Sequence, residues 1–161
     1  MDALAFFDDE CYFGIVSEVS ESWDKVKRID SYEEFFGSIL FKRMYEIAPD
    51  AWAPFSFTAE DVENKNEKFI VFAKRFVRML DLAVHMLGPD MDIVAEQLMD
   101  LGPTHQRYGV TQKHYDLMGQ ALVFTLEKVL SARNCTPATK HSWTKTFSFM
   151  AAAMLNGADS S

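Results

Sequence analysis

The chain is 161 residues long, with 24 acidic against 16 basic side chains and a formal net charge of −8. That length suits one domain with a sizeable core, and the acidic balance argues against nucleic acid and anionic membrane as main partners, since both need a concentrated positive surface. Phenylalanine (14 residues) and methionine (9) are heavy for a single small domain, a composition that fits either a Phe-rich core or a cofactor lining.

The first segment, Met1 to Phe13, is acidic and aromatic, with an apolar run too short for a secretory or organellar leader. Phe6, Phe7, Tyr12 and Phe13 favour docking on the domain over a solvated tail. Cys11 and Cys135 form no metal-ligand spacing and no Cys-x-x-Cys-His motif, so they read as reduced thiols of a cytoplasmic protein. No stretch reaches the length needed to cross a bilayer.

A helix is predicted from Tyr12 to Ile29, containing Trp23. Ser31-Tyr32-Glu33-Glu34 has the form of a capping box and opens a second helix through Phe35, Phe36, Ile39, Leu40 and Ile47, stopped by Pro49. Residues Ala51 to Phe57 form an aromatic corner around Pro54, and Thr58 to Lys68 read as a polar loop. A strong amphipathic stripe follows at Phe69, Phe72, Phe76, Leu80, Ala83, Val84 and Leu87, ended by Gly88-Pro89. A shorter helix covers about Asp92 to Asp100. Pro103 is then expected to end that helix and start a very short one, with His105 in its first turn. Thr111 caps a helix whose stripe is Tyr115, Met118, Leu122, Leu126 and Val129. Thr136-Pro137 opens the last helix, which carries Trp143, Phe147, Met150 and Met154, with Gly157 where a C-terminal cap belongs. About seven helices with short connections make one all-α domain without repeats or linkers.

In this order and at these separations, the landmarks resemble the globin family, specifically a full-length three-over-three globin, from about Ser20 to Leu155. Trp23 matches the tryptophan of the first helix and Pro49 the proline that begins the third. Phe55 matches the haem-stacking phenylalanine and His105 the proximal iron ligand, followed by Gly109-Val110, Tyr115 and Trp143. Leu117 to Leu122 is similar to the same helix in neuroglobins, cytoglobins and the globin domains of flavohaemoglobins. The resemblance implies a globin fold, a three-over-three sandwich of about seven to eight helices around non-covalently held haem b. Residues 1–13 would then be an N-terminal extension, 14–157 the globin domain and 158–161 a tail. It also implies that His105 binds the iron, with a carbonyl near Leu101 accepting from its other ring nitrogen. Phe55 would lie on the porphyrin face, and Val110 and Tyr115 would complete the proximal wall. Arg75 and Lys74 would meet the propionates, a role to weigh against simple solvation of helix-surface charges.

The distal side departs from the family pattern. Phe72 stands at the usual histidine position, Phe76 one turn on, and Phe41 supplies the third wall. His85, His114 and His141 fall outside the pocket. A pocket without a hydrogen-bond donor implies five-coordinate iron that takes a diatomic gas (oxygen, carbon monoxide or nitric oxide) and releases oxygen quickly. Arg75 folded inward, or more remotely Tyr45, is the alternative donor. Three function classes stay open. The first is reversible gas binding for oxygen transport, storage or sensing. The second is redox catalysis such as nitric oxide dioxygenation, nitrite reduction or peroxide chemistry, fed by an external reductase. The third is a haem-free signalling scaffold. A monomer and a homodimer are equally compatible with the sequence.

Overall fold

Apolar side chains recur every three to four residues along most of this chain, and in the computed structural model that period becomes helices. The structure describes residues 3–7, 11–52, 55 and 57–159. Among these the α-helices are α1 (Ala3–Phe7), α2 (Tyr12–Lys27), α3 (Tyr32–Ile47), α4 (Ala59–Glu63), α5 (Glu67–Met86), α6 (Met91–Arg107), α7 (Gln112–Val129) and α8 (Pro137–Asp159). A 3₁₀ helix, Pro49–Trp52, lies between α3 and α4. Helices α2, α5 and α6 cross α3, α7 and α8, with α6 packed on α8, α3 on both α5 and α7, and α2 on α8. This is the three-over-three helical sandwich expected.

Between the layers the largest side chains are fully buried, among them Trp23, Trp143, Phe36, Phe41, Phe69 and Phe149. Each indole N–H finds an acceptor: Trp23 donates to Asp81 Oδ1 at 2.8 Å, Trp143 to Ser22 Oγ at 2.7 Å, and Trp52 to the Met44 carbonyl at 3.0 Å. The N-terminal aromatics do dock. Phe7 is buried, and both Phe6 and Phe7 pack on Phe149 of α8, with ring centroids 5.5 and 5.4 Å away. Tyr12 donates to the Pro89 carbonyl, whereas Phe13 stays exposed.

Several local expectations are corrected. Ser31 does precede α3, but it sits in the left-handed region at φ 55° and makes no side-chain cap bond. A capping hydroxyl reaches the third amide of its helix from extended backbone, which Ser31 does not have. The stretch Thr58 to Lys68 is not a loop throughout. Thr58 and Asp61 form a reciprocal capping box that opens α4, and α5 already starts at Glu67. Pro103 does not divide its helix, because α6 runs unbroken from Met91 to Arg107 with the proline inside. Gly157 is not a terminal cap either. It lies within α8, buried where a side chain would collide with the Met99 carbonyl of α6. Pro54, the centre of the expected corner, lies outside the described residues.

Asp81 links α2 to α5. Burial pushes its carboxyl up, but hydrogen bonds from Trp23 and Lys27 and the charges of Lys27 and His85 outweigh this, so its pKa lies below the ordinary 3.8. A carboxylate with a lowered folded value stabilises the native state above its unfolded pKa and loses that contribution as pH falls through the folded one. Asp81→Asn should therefore cost about 1 kcal/mol at pH 7. The gap from the unmodified protein, followed by urea denaturation at descending pH, should stay constant down to about pH 4 and close below it.

Candidate functional site

His105 lies on the last turn of α6, half-buried. Its Nδ1 is 2.9 Å from the Leu101 carbonyl, one turn back in the same helix. With Nδ1–H donating there, Nε2 keeps its lone pair and the imidazole is held in one orientation, the arrangement of an axial metal ligand. The helix then stops in a defined way. Gly109 adopts φ 84°, its N–H donates to the Gln106 carbonyl, and the Val110 N–H returns to the His105 carbonyl at 3.1 Å. This paired Schellman closure fixes the backbone of His105 itself. Across from it the Tyr115 ring of α7 lies 6.3 Å from the imidazole, and the Tyr115 hydroxyl donates to Met154 Sδ of α8. Burial also pushes the Tyr115 phenol up, so it remains a neutral donor.

A second group of candidate residues is aromatic. Helix α5 buries Phe69, Ala73, Val77, Leu80 and Val84 against the core, leaving Phe72 and Phe76 half-buried one face over. Phe41 of α3 meets Phe72 at 5.2 Å and Phe76 at 5.4 Å, both edge-on. Phe55 meets Phe72 at 5.7 Å, so the structure brings together the four phenylalanines singled out in the sequence. Edge-to-face rings at such spacing add attraction beyond their buried area. Tyr45, the remote alternative donor, is committed elsewhere, because its hydroxyl donates to the Phe57 carbonyl at 2.9 Å. Arg75 is exposed and Lys74 half-buried.

Two residues without a role in the sequence reading belong to this region. Phe57 is buried in the same cluster, 4.9 Å from Phe72 and 5.3 Å from Phe69. His114 acts as a clamp. Its Nδ1 accepts the Thr111 N–H that begins α7, and its Nε2 lies 2.7 Å from the Ala51 carbonyl in the 3₁₀ turn. The ring also packs edge-on to Trp52. The signal for it was a histidine at the third helical position after Thr111, in the place where a capping box carries a glutamate.

Helix α5 leans on α3 whereas α6 leans on α8, so these consecutive helices are supported from different elements. The apolar side chains beside them are incompletely covered by protein: Phe72, Phe76, Phe55 and Val110 are half-buried, Leu101 is 39% exposed and Tyr108 75%. Leu101, Tyr108 and Val110 thus leave apolar surface open on the same turn as the oriented imidazole. Among the described residues no three His, Cys, Asp or Glu side chains converge on a bare-metal site. These features define an all-helical sandwich with an oriented histidine at the end of α6 and a phenylalanine cluster between α3 and α5.

The globin family model matches residues 38–154, and the chain belongs to the globin family. It is similar to neuroglobin of Danio rerio, 26% identical over 125 residues that cover 75% of this chain and 77% of that one. It is also similar to an anaerobic nitrite reductase of Gossypium hirsutum, 28% identical over 142 residues, 84% of this chain and 86% of that one. Among solved structures, the hemoglobin of the botfly Gasterophilus intestinalis superposes with a TM-score of 0.75 over 90% of this chain and 97% of its own, at 17% identity. A Drosophila melanogaster globin gives 0.73 over 88% and 92%, also at 17% identity. At that identity the structural likeness is one of fold.

The clamp made by His114 yields a stability test. His114→Ala strands the Ala51 carbonyl and the Thr111 N–H together, which should lower stability by about 1–2 kcal/mol. Chemical denaturation should show this as a lower midpoint with an unchanged slope.

Proposed function

We propose that the protein binds haem b through His105 and reversibly holds a diatomic gas in a distal pocket walled by phenylalanine. The observation that carries this reading is the His105 imidazole, oriented by the Leu101 carbonyl beside apolar surface that the protein leaves open. Haem, held by His105, would supply an iron able to take up a small gas reversibly. Everything else falls to the protein. His105 offers Nε2 as the donor. Phe55 and Val110 line the cleft and keep water from it, and Tyr115 flanks the imidazole. Arg75 and Lys74 offer cations for the propionates. Arg107, whose guanidinium donates to Thr104 Oγ1 at 3.1 Å one residue before His105, is a further cation on the turn that carries the histidine.

Phe41, Phe72 and Phe76 decide selectivity. Dioxygen gains partial negative charge when held and is retained by a nearby donor, whereas carbon monoxide gains little. A phenylalanine wall therefore permits fast oxygen release and discriminates weakly against carbon monoxide. It also provides no acid–base side chain for peroxide chemistry. The redox alternative is favoured by one finding, the likeness to a plant nitrite reductase over most of the chain. In that case an external reductase would supply electrons. Cys11 and Cys135 are both free thiols, which supports a reducing, cytoplasmic setting for either role.

The primary test is an absorption spectrum of the purified protein, oxidised, reduced, and exposed to carbon monoxide. A broad single-banded ferrous spectrum whose Soret band shifts with carbon monoxide is expected; no Soret band after haem addition would overturn the reading. His105→Ala should abolish stable haem binding, and an unchanged spectrum would remove His105 from its role. Phe72→His should slow oxygen dissociation about tenfold, the effect of one added hydrogen bond, read by stopped-flow displacement with carbon monoxide. Nitrite consumption under anaerobic reducing conditions would tell the redox alternative from gas binding alone.

A further inference from the structure

Helix α6 meets α8 backbone to backbone. A Cβ added to Gly102 would lie 2.0 Å from the Met154 carbonyl oxygen, and one added to Gly157 would lie 1.9 Å from the Met99 carbonyl oxygen. The relation is reciprocal: each glycine turns a Cα–H toward a carbonyl of the other helix. Such Cα–H contacts recur where helices approach closely and carry modest attraction. The Met99 carbonyl is also the one that Pro103 leaves without its helical N–H partner, since proline has none to donate four residues on. The proline expected to break α6 thus frees the oxygen that seats α6 on α8.

The seat is joined to His105 by two routes. His105 follows Gly102 by three residues in the same unbroken helix, so any displacement of α6 is carried to the imidazole. Met154, whose carbonyl faces Gly102, also accepts the Tyr115 hydroxyl through its sulfur, and the Tyr115 ring flanks His105. From this we infer that Gly102 and Gly157, with Met154 and Tyr115, are positioning residues that set the distance and tilt of His105 toward the iron. The inference rests on His105 as the axial ligand. It assigns to the far helix α8 a control over that bond that no side chain of α6 exerts alone.

Gly157→Ala tests it. The added methyl has only backbone in front of it, so α6 must move off α8. The haem-loaded variant should show a displaced iron–histidine stretching band in resonance Raman spectra of the ferrous form. Haem transfer to a scavenging protein should be about tenfold faster, as when an outer-shell partner of a metal ligand is lost. Gly14→Ala in α2, where the nearest atom is Cys11 Sγ at 4.0 Å, is the control and should leave both unchanged. If Gly157→Ala fails to fold, Tyr115→Phe removes only the bond to Met154 and should shift the same band in a folded protein. A lower melting temperature with an unmoved band in both variants would overturn the inference. Failure of the unmodified protein to bind haem would instead remove the reading on which it rests.

Discussion

A buried indole N–H needs an acceptor, and in this chain that requirement ties the two layers together. Trp23 sits where α2, α3, α5 and α8 converge: its ring meets Phe36 and Tyr32 of α3 and Trp143 of α8 edge-on, and its N–H reaches Asp81 of α5. Trp143 returns to α2 through Ser22. Apolar packing alone tolerates sliding between helices, whereas directed hydrogen bonds from large rings do not. Helix α5 is thereby fixed in rotation about its axis, and Phe72 and Phe76 inherit their direction from that anchor, a few turns away at most in the same helix.

The His105 turn and the phenylalanine cluster are held by different physics. On the His105 side the bonds are directional: a ring nitrogen to a carbonyl, a Schellman closure, a phenol to a thioether. Around Phe72 the contacts are rings against rings, meeting edge-on or tilted. The helical sandwich comes with the globin family, whereas the cluster of Phe41, Phe55, Phe57 and Phe72 is read from this chain's own residues.

The elements most legible in the sequence were those marked by long apolar periods. The stripe from Phe69 to Val84 appears as α5 with nearly its expected ends, and the acceptor near Leu101 lies one turn before His105. Punctuation residues are legible as signals but ambiguous in meaning. Pro103 and Gly157 read as stops, yet both lie inside helices, because tertiary contact between α6 and α8 uses their missing N–H and missing side chain. Thr58-x-x-Asp61 carries the same cap signal as Ser31-x-x-Glu34, and only the former forms. The difference lies in the backbone angle of the capping residue, which one-dimensional spacing does not specify. Phe57 is one of several phenylalanines in a corner, and nothing short of the folded cluster distinguishes its buried ring from the half-covered Phe55.

The globin family model begins at residue 38, after α1, α2 and the first turn of α3. Trp23 and Phe7 precede it, and each fills the same hydrophobic core as the signature itself. A fragment trimmed to residues 38–154 would lose the indole that partners Asp81, leaving Phe149 and Trp143 without their aromatic neighbours upstream. The stretch matched by the family model is thus shorter than the hydrophobic core to which it belongs.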